Sequence, residues 1–307
     1  MSEGRALGER LVLVSPHPDD AAFSVGGLLS GGALGNLVLG VTVFTRSQAT
    51  TYGEPALTRA LGAPLNLLSS QPRVNRLRQK IRVLEVTKLR RLEDDRYFKA
   101  IGVPRMDLNL LDAPLRGYGW YPQVSAAYPR TLDVDVARKD PILGALVSRF
   151  DNIVSSLVDK ANSSSVRPSE SSQNSDRCVM LLPLGLGGHV DHLLVREACS
   201  SLDKDNPRVY YEDLPYAESL TEDEIVRTAR GFDPGLEPHL FSIRKSLARK
   251  VENLRLYKSQ VGAKEVERVR RYATRLGDNL DPFERLWYRQ LPEESSARKS
   301  LEVAEFR

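Results

Sequence analysis

The sequence predicts an α/β fold, a three-layer, Rossmann-like arrangement with a mostly parallel sheet and helices on both faces. Three observations carry this expectation. The short runs "RLVLVSP" (10–16), "NLVLGVTVFT" (36–45) and "RCVMLLP" (177–183) have the length and apolar continuity of strands buried on both faces. Segments with apolar residues at helical spacing alternate with them. Chemically active side chains cluster just after the strands, at the carboxyl ends where open parallel sheets place ligands.

The first run leads through "PHPDD" into "DAAFSVGGLLSGGALG" (20–35), which is small and apolar at helical spacing and closes on glycine. Residues 10–45 therefore read as β-α-β with two parallel strands. A charged helical pattern follows through "RVNRLRQKIRVLEVTKLRR" (73–91) and "VTKLRRLEDDRYFKAIG" (86–102), stopping at Gly102 with Pro104 beyond it. "RMDLNLLDAP" (105–114) is a third strand, expected to end at Asp112. Residues 115–135, with Trp120 and two Tyr-Pro pairs, read as irregular surface loop, and 140–161 as a helix. The Ser-rich segment 162–176 reads as a mobile insertion. A fourth strand, 177–183, runs into "LGLGGHVDH" (184–192) and a helix, and "RVYYEDLPY" (208–216) supplies a fifth strand. The remainder, 240–307, is expected to be helical, with amphipathic patterns at 242–258 and 263–276. With no internal repeat and no composition break, residues 1–307 read as one domain.

An apolar content of 41% and a charged content of 27% fit a globular domain with a real core. The net charge of +4 is small for the length, and no aromatics interleave with the basic run 73–91. That run reads as a solvated helix face, so no nucleic-acid partner is expected. The two cysteines, Cys178 and Cys199, lack metal-site spacing and argue against a disulfide scaffold. No apolar run reaches the ~20 residues of a membrane span, and no apolar signal core precedes the first strand. The expected location is cytoplasmic, and the expected partner is a small-molecule substrate; no pattern sets an oligomeric state.

Histidine is the sharpest signal. The chain has four: His17, His189, His192 and His239. The first three lie in two polar clusters at strand ends, together with Asp19, Asp20 and Asp191. Zinc takes nitrogen and oxygen ligands, and its catalytic sites keep one position open for water. A His/Asp/His set meets that description. Asp20 could instead cap the helix that starts near Ala21, but this leaves His17 and the second cluster unexplained. His239, alone, reads as packed or hydrogen-bonded. Arg46, after the second strand, reads equally as a substrate contact or a turn residue. A dinucleotide binder is disfavoured because the first turn has no G-x-G-x-x-G.

"PHPDDAAFSVGG" with "GGHVDH" resembles the PIG-L/LmbE-like family of zinc-dependent N-deacetylases, whose motifs run H-P-D-D-E or H-x-D-D-A, and H-x-D-H. The likeness extends through "RRLEDDRYFKAIGV" (90–103), "LNLLDAP" (108–114), "YYEDLPYA" (210–217) and "KVENLRLYKSQV" (250–261). It implies Zn2+ held by His17, Asp20 and His192, a donor set that also suits Fe2+ or Co2+. It further implies Asp19 as general base, His189 as oxyanion stabiliser or acid, and Asp191 as the carboxylate that orients His189. Arg90 and Asp112 match positions that contact polar substrate. Ala21 stands where the family usually has Glu, at a position that ligates nothing.

The expected reaction is removal of an N-acyl group, most often acetyl, from an amino sugar or a glycosylated natural product. One alternative keeps the metal and changes the amide, to a cyclic imide or a conjugate linkage. Another is a non-catalytic sugar- or nucleotide-binding module, disfavoured because Asp19 and His189 are both in place. Specificity is expected in loops 46–75, 115–138 and 162–176.

Overall fold

The computed structural model describes residues 10–34, 37–52, 72–118, 134–164, 178–202, 206–277 and 281–289. Seven strands form one sheet in the order β3-β2-β1-β4-β5-β7-β6. They are β1 (Arg10–Ser15), β2 (Leu37–Thr42), β3 (Arg105–Asp107), β4 (Cys178–Pro183), β5 (Arg208–Tyr211), β6 (Glu237–Ser242) and β7 (Phe283–Tyr288). The first five in spatial order pair in parallel, and β7 and β6 add an antiparallel flank. The helices are α1 (Asp20–Ser30), α2 (Pro72–Ala100), α3 (Val134–Arg138), α4 (Leu143–Ser164), α5 (Val190–Ser200), α6 (Glu222–Phe232), α7 (Leu247–Leu254) and α8 (Ala263–Arg275).

Strand β1 sits centrally, with Val12 paired to Leu39 on one side and Met180 on the other. From β1 the chain steps outward through β2 to β3, and from β4 it steps the opposite way to β5. Right-handed crossovers in opposite directions put α1 and α5 on opposite faces, which gives the expected three layers. Consistent with this, α1 packs on α7, whereas α3 and α4 pack on α5. The strand order reverses between β1 and β4, and their carboxyl ends open there, the place where such sheets bind ligands.

Burial explains why β1 and β4 read as unbroken apolar runs. Val12, Val14, Met180 and Leu182 are covered on both faces, each contributing about 1.5–3 kcal/mol by transfer from water. Helix α2 lies against β2 so closely that a Cβ at Gly40 would stand 2.0 Å from the Phe98 ring. Polar clasps fix the turn of α2 that faces the sheet. Thr42 Oγ1 and the Tyr257 hydroxyl each donate to Asp94 at 2.7 Å, and Ser259 donates to Glu93 through its amide and hydroxyl.

Three expectations need correction. The third strand ends at Asp107 rather than Asp112, because Asn109 takes φ 53 and turns the chain away, leaving only a bridge from Arg46 to Leu111. The fifth strand stops at Tyr211. The stretch from 240 onward is not uniformly helical, since β6 and β7 border α7 and α8. β6 contains Pro238 and takes the sheet edge, where a residue without an N–H is tolerated. β7 carries Glu284 and Arg285 into the interior, where both are paired. Trp120 and most of the loop at 115–135, residues 165–176 of the Ser-rich insertion, and 290–307 lie outside the described residues.

Candidate active site

Two turns build the site. The first, Pro16–Asp20, leaves β1 and enters α1. The Ser15 hydroxyl donates to His17 O at 2.7 Å and accepts the Ala21 amide at 3.2 Å. The Asp20 carboxylate accepts the His17 amide at 2.8 Å, folding the turn back on itself. Between them Asp19 is held at φ 99, ψ −32, a conformation that costs a non-glycine residue about 1–3 kcal/mol. The second turn leaves β4 through Gly185, Gly187 and Gly188, all with positive φ, and enters α5 at His189. At Gly187 a Cβ would stand 2.6 Å from Tyr216, so both conformation and contact require glycine there.

His17, Asp20 and His192 converge. Nδ1 of His17 lies 3.1 Å from Asp20 Oδ2, and Nε2 of His192 lies 3.3 Å from the same oxygen. The three donor atoms sit within 4.8 Å of one another. Nε2 of His192 is buried and faces Asp20 at 3.3 Å without an aligned hydrogen bond. The far nitrogen of each imidazole is held by a buried carboxylate, His17 Nε2 by Asp191 at 2.8 Å and His192 Nδ1 by Asp213 at 2.6 Å. Burial opposes charge on these rings, yet Asp191 and Asp20 outweigh it and raise His17 to about 9. Asp20 and Asp213 likewise raise His192 to about 10. Despite its burial, Asp20 is held below the ordinary carboxylate range by the two histidines. A pocket that draws protons this strongly is one that a divalent cation satisfies in their place, and imidazoles backed by carboxylates are what metal sites use. The donor set fits a divalent metal.

Asp19 lines the cleft beside Asp20. Burial raises it to about 7, with Arg90 working against the rise and Asp20 adding to it. Arg90, from α2, donates to Pro18 O at 3.1 Å and lies 3.6 Å from Asp19, so it braces this turn as well as lining the cleft. His189 lines the cleft opposite, its ring edge-on to His17 at 4.8 Å. Its Nδ1 accepts the Asp191 amide at 3.1 Å, which assigns the hydrogen of the neutral ring to Nε2. Burial, then His17, pushes the His189 pKa well below the ordinary value, so the ring is neutral.

The Asp191 carboxylate, expected to orient His189, is hydrogen-bonded to His17 instead. Its Oδ2 accepts His17 Nε2 and the Ala113 amide, and its Oδ1 pairs with Arg116 at 2.7 Å. To His189 itself Asp191 gives its backbone N–H as a hydrogen-bond donor, and its carboxylate acts on that ring through space. Of the two readings of Arg46, substrate contact or turn residue, its position suits the second. Its side chain is exposed, and the cleft is lined instead by Ala49, Thr50 and Thr51 further along. Asp112 does line the cleft, buried, with Oδ1 lacking any hydrogen bond.

Asp213 is the residue that sequence reasoning missed. It follows β5, is fully buried, and binds the Leu186 amide at 2.8 Å as well as His192. The available signal was its place at the carboxyl end of a parallel strand, the rule that identified the other clusters.

The site is a His/Asp/His cluster, of the kind that fits a divalent metal, at the switch point of a parallel sheet on a Rossmann-like frame. No protein-family model matches the sequence. The chain is 31% identical over 283 residues to a 2'-N-acetylparomamine deacetylase of Streptomyces fradiae, covering 88% of this chain and 82% of that protein. It also superposes on the crystal structure of a deacetylase-teicoplanin complex from the biosynthesis pathway of teicoplanin, with a TM-score of 0.57 and 20% identity, over 91% of this chain and 97% of the other. The zinc-inhibited form of teicoplanin deacetylase Orf2 superposes with a TM-score of 0.54 at 20% identity, over 93% of this chain and 100% of the other. These two structural likenesses concern the fold. The chain belongs to the PIG-L/LmbE-like family of deacetylases.

Proposed function

We propose that this protein is a metal-dependent N-deacetylase acting on an N-acetylated amino sugar or a glycosylated natural product. The convergence of His17 Nδ1, Asp20 Oδ2 and His192 Nε2, with His192 Nε2 lacking an aligned hydrogen bond, is the observation that carries this reading. Membership of a deacetylase family and the 2'-N-acetylparomamine deacetylase likeness support the substrate class. The cleft, about 660 Å³, is large enough for a sugar with a neighbouring ring.

His17, Asp20 and His192 would hold the metal, which supplies a Lewis acid and lowers the pKa of water to about 7. Asp19, next in sequence to a ligand yet free of ligation, takes a proton from the attacking water. Water oxygen bonds to the acetyl carbon, and the charge that develops on the carbonyl oxygen is met by the Nε2–H of neutral His189. The C–N bond then breaks, the amine leaves with the proton returned from the Asp19 carboxyl, and acetate is the second product. Arg90 keeps Asp19 in place, and Asp112 Oδ1 accepts from a substrate hydroxyl or amine. Zn2+ is the expected metal and Fe2+ or Co2+ suit the same donors.

The test is elemental analysis of wild type and His192→Ala, followed by assay of acetate released from 2'-N-acetylparomamine. About one transition metal per chain, lost in the variant, with acetate release from wild type, is the expected result. Protein that takes up no metal on addition of zinc would overturn the reading in favour of a non-catalytic sugar-binding module.

A further inference from the structure

The outer rim of the cleft is built separately from its floor. Residues 49–52, after β2, are laced to residues 259–265, which lead into α8. The Thr51 and Tyr52 amides both donate to Ser259 O at 2.9 Å, and Gln260 Nε2 donates to Ala49 O at 3.4 Å. Thr51 Oγ1 donates to Gln260 Oε1 at 3.3 Å. The Tyr52 ring passes so near Gly262 that a Cβ there would stand 2.6 Å from it. This lacing presents Thr51, Gln260 and Glu265 to the cleft.

Glu265 is the charged member of that wall. Its Oε2 accepts from two neutral donors, the Tyr52 hydroxyl and the Gly262 amide. No ion pair reaches it among the described residues; Lys264 beside it is exposed and adds only a Coulombic attraction. Desolvation is outweighed by these donors, so the carboxyl lies below its ordinary range and is charged. The guanidiniums of the lining are already committed, Arg268, one turn along α8 from Glu265, to Glu218 at 3.0 Å and to Pro215 O, and Arg90 to the turn before α1. Deeper in the same cleft the buried Oδ1 of Asp112 has no donor. The lining therefore carries carboxyl groups at Asp19, Asp20, Asp112 and Glu265 against guanidiniums at Arg90 and Arg268 and the imidazole of His17, and of the four carboxyl groups Glu265 alone comes from α8.

Building on the deacetylase reading above, we infer that the Glu265 rim is a subsite for a second, amine-bearing ring, so that the substrate is a cationic glycoside with free ammonium groups beyond its N-acetyl group. A neutral N-acetylated oligosaccharide would leave Glu265 facing hydroxyls and gain less. The lacing by Tyr52 and Gly262 fixes the carboxylate before substrate arrives, which lowers the ordering cost of binding.

The inference is tested by comparing 2'-N-acetylparomamine, whose aminocyclitol amines are free, with neutral N,N'-diacetylchitobiose. The kcat/KM ratio should favour the cationic substrate, and Glu265→Gln should reduce that ratio about tenfold through KM, the size of one charge-assisted hydrogen bond at a half-exposed site. The wild-type ratio should also fall as ionic strength approaches about 1 M, where screening acts within about 3 Å. Because Glu265 also closes the start of α8, Tyr52→Phe is the second variant; it keeps the carboxylate, removes one donor, and should raise KM for the cationic substrate. A ratio unmoved by Glu265→Gln and by salt overturns the rim subsite while acetate release leaves the deacetylase standing. If neither substrate yields acetate, the deacetylase reading falls. Calorimetric binding of paromamine itself then decides the rim, with a tenfold weaker Kd in Glu265→Gln supporting it and an unchanged or unmeasurable wild-type Kd overturning it.

Discussion

The two flanks of the sheet divide the labour unequally. The parallel part, β1, β4 and β5, ends in the side chains of the candidate site: His17, Asp19, Asp20, His189 and His192, with Asp213 behind His192. The antiparallel part, β7 and β6, contributes no ligand. It holds the first part in place through buried charges. Glu284 of β7 accepts the Gly27 and Leu28 amides at 2.7 and 2.9 Å, where α1 departs from helical geometry at Val25, and pairs with buried Lys250 at 2.6 Å. Glu212, beside Asp213, accepts from Arg285 at 2.6 Å and from Trp287 Nε1 at 2.8 Å. One flank's charges are open toward a ligand, and the other's are closed on one another. Electrostatics of the first kind makes chemistry, and of the second kind geometry.

Variants that affect only one of these flanks sharpen the contrast. The largest effect is expected on turnover from Asp19→Asn, which removes the proposed base while keeping a residue that tolerates positive φ. Turnover should fall about 10²–10⁴-fold with metal content and Tm unchanged, and activity within tenfold of wild type would place the base elsewhere. Glu284→Gln should instead lower stability by about 3–5 kcal/mol in urea titration, because Lys250 is left buried without its counter-charge. The folded fraction should keep its metal, and a loss below about 1 kcal/mol would show that α1 is anchored without this pair. Asp213→Asn returns to the chemical side. Chelator competition should show metal affinity about 10–100-fold weaker, whereas wild-type affinity would confine Asp213 to holding the Leu186 amide. The smallest effect is expected from Thr221→Ala, which removes the capping box at the start of α6. It should cost about 1 kcal/mol with no change in metal binding.

How much was legible in the sequence follows the same division. The parallel strands and their turns were readable because both signals are local: an apolar run buried on two faces, then rare chemical residues a few positions on. Tertiary pairings were not. Asp213 becomes a support for His192 only when β5 lies beside β4, and Asp191 turns from His189 to His17 because Ala113 and Arg116 approach it from another segment. β7 escaped because "FERLWY" holds two charges that look solvated until Glu212, Lys250 and the amides of α1 surround them. β6 escaped because Pro238 argues against a strand, and edge position cannot be seen from sequence. Of the loops expected to set specificity, 53–71 and 119–133 lie outside the described residues, and the cleft rim draws on 49–52 and 260–268.

The left-handed backbone at Asp19 has a consequence for how such a protein is altered by selection. A residue there that favours positive φ, glycine above all, relieves local strain, so variation screened for thermal tolerance alone drifts toward losing the carboxylate. Asp19→Gly should therefore emerge among survivors of a heat-challenge library and vanish from one that also demands product. On the proposed mechanism durability and turnover would be rival traits at this position, with the aspartate serving turnover.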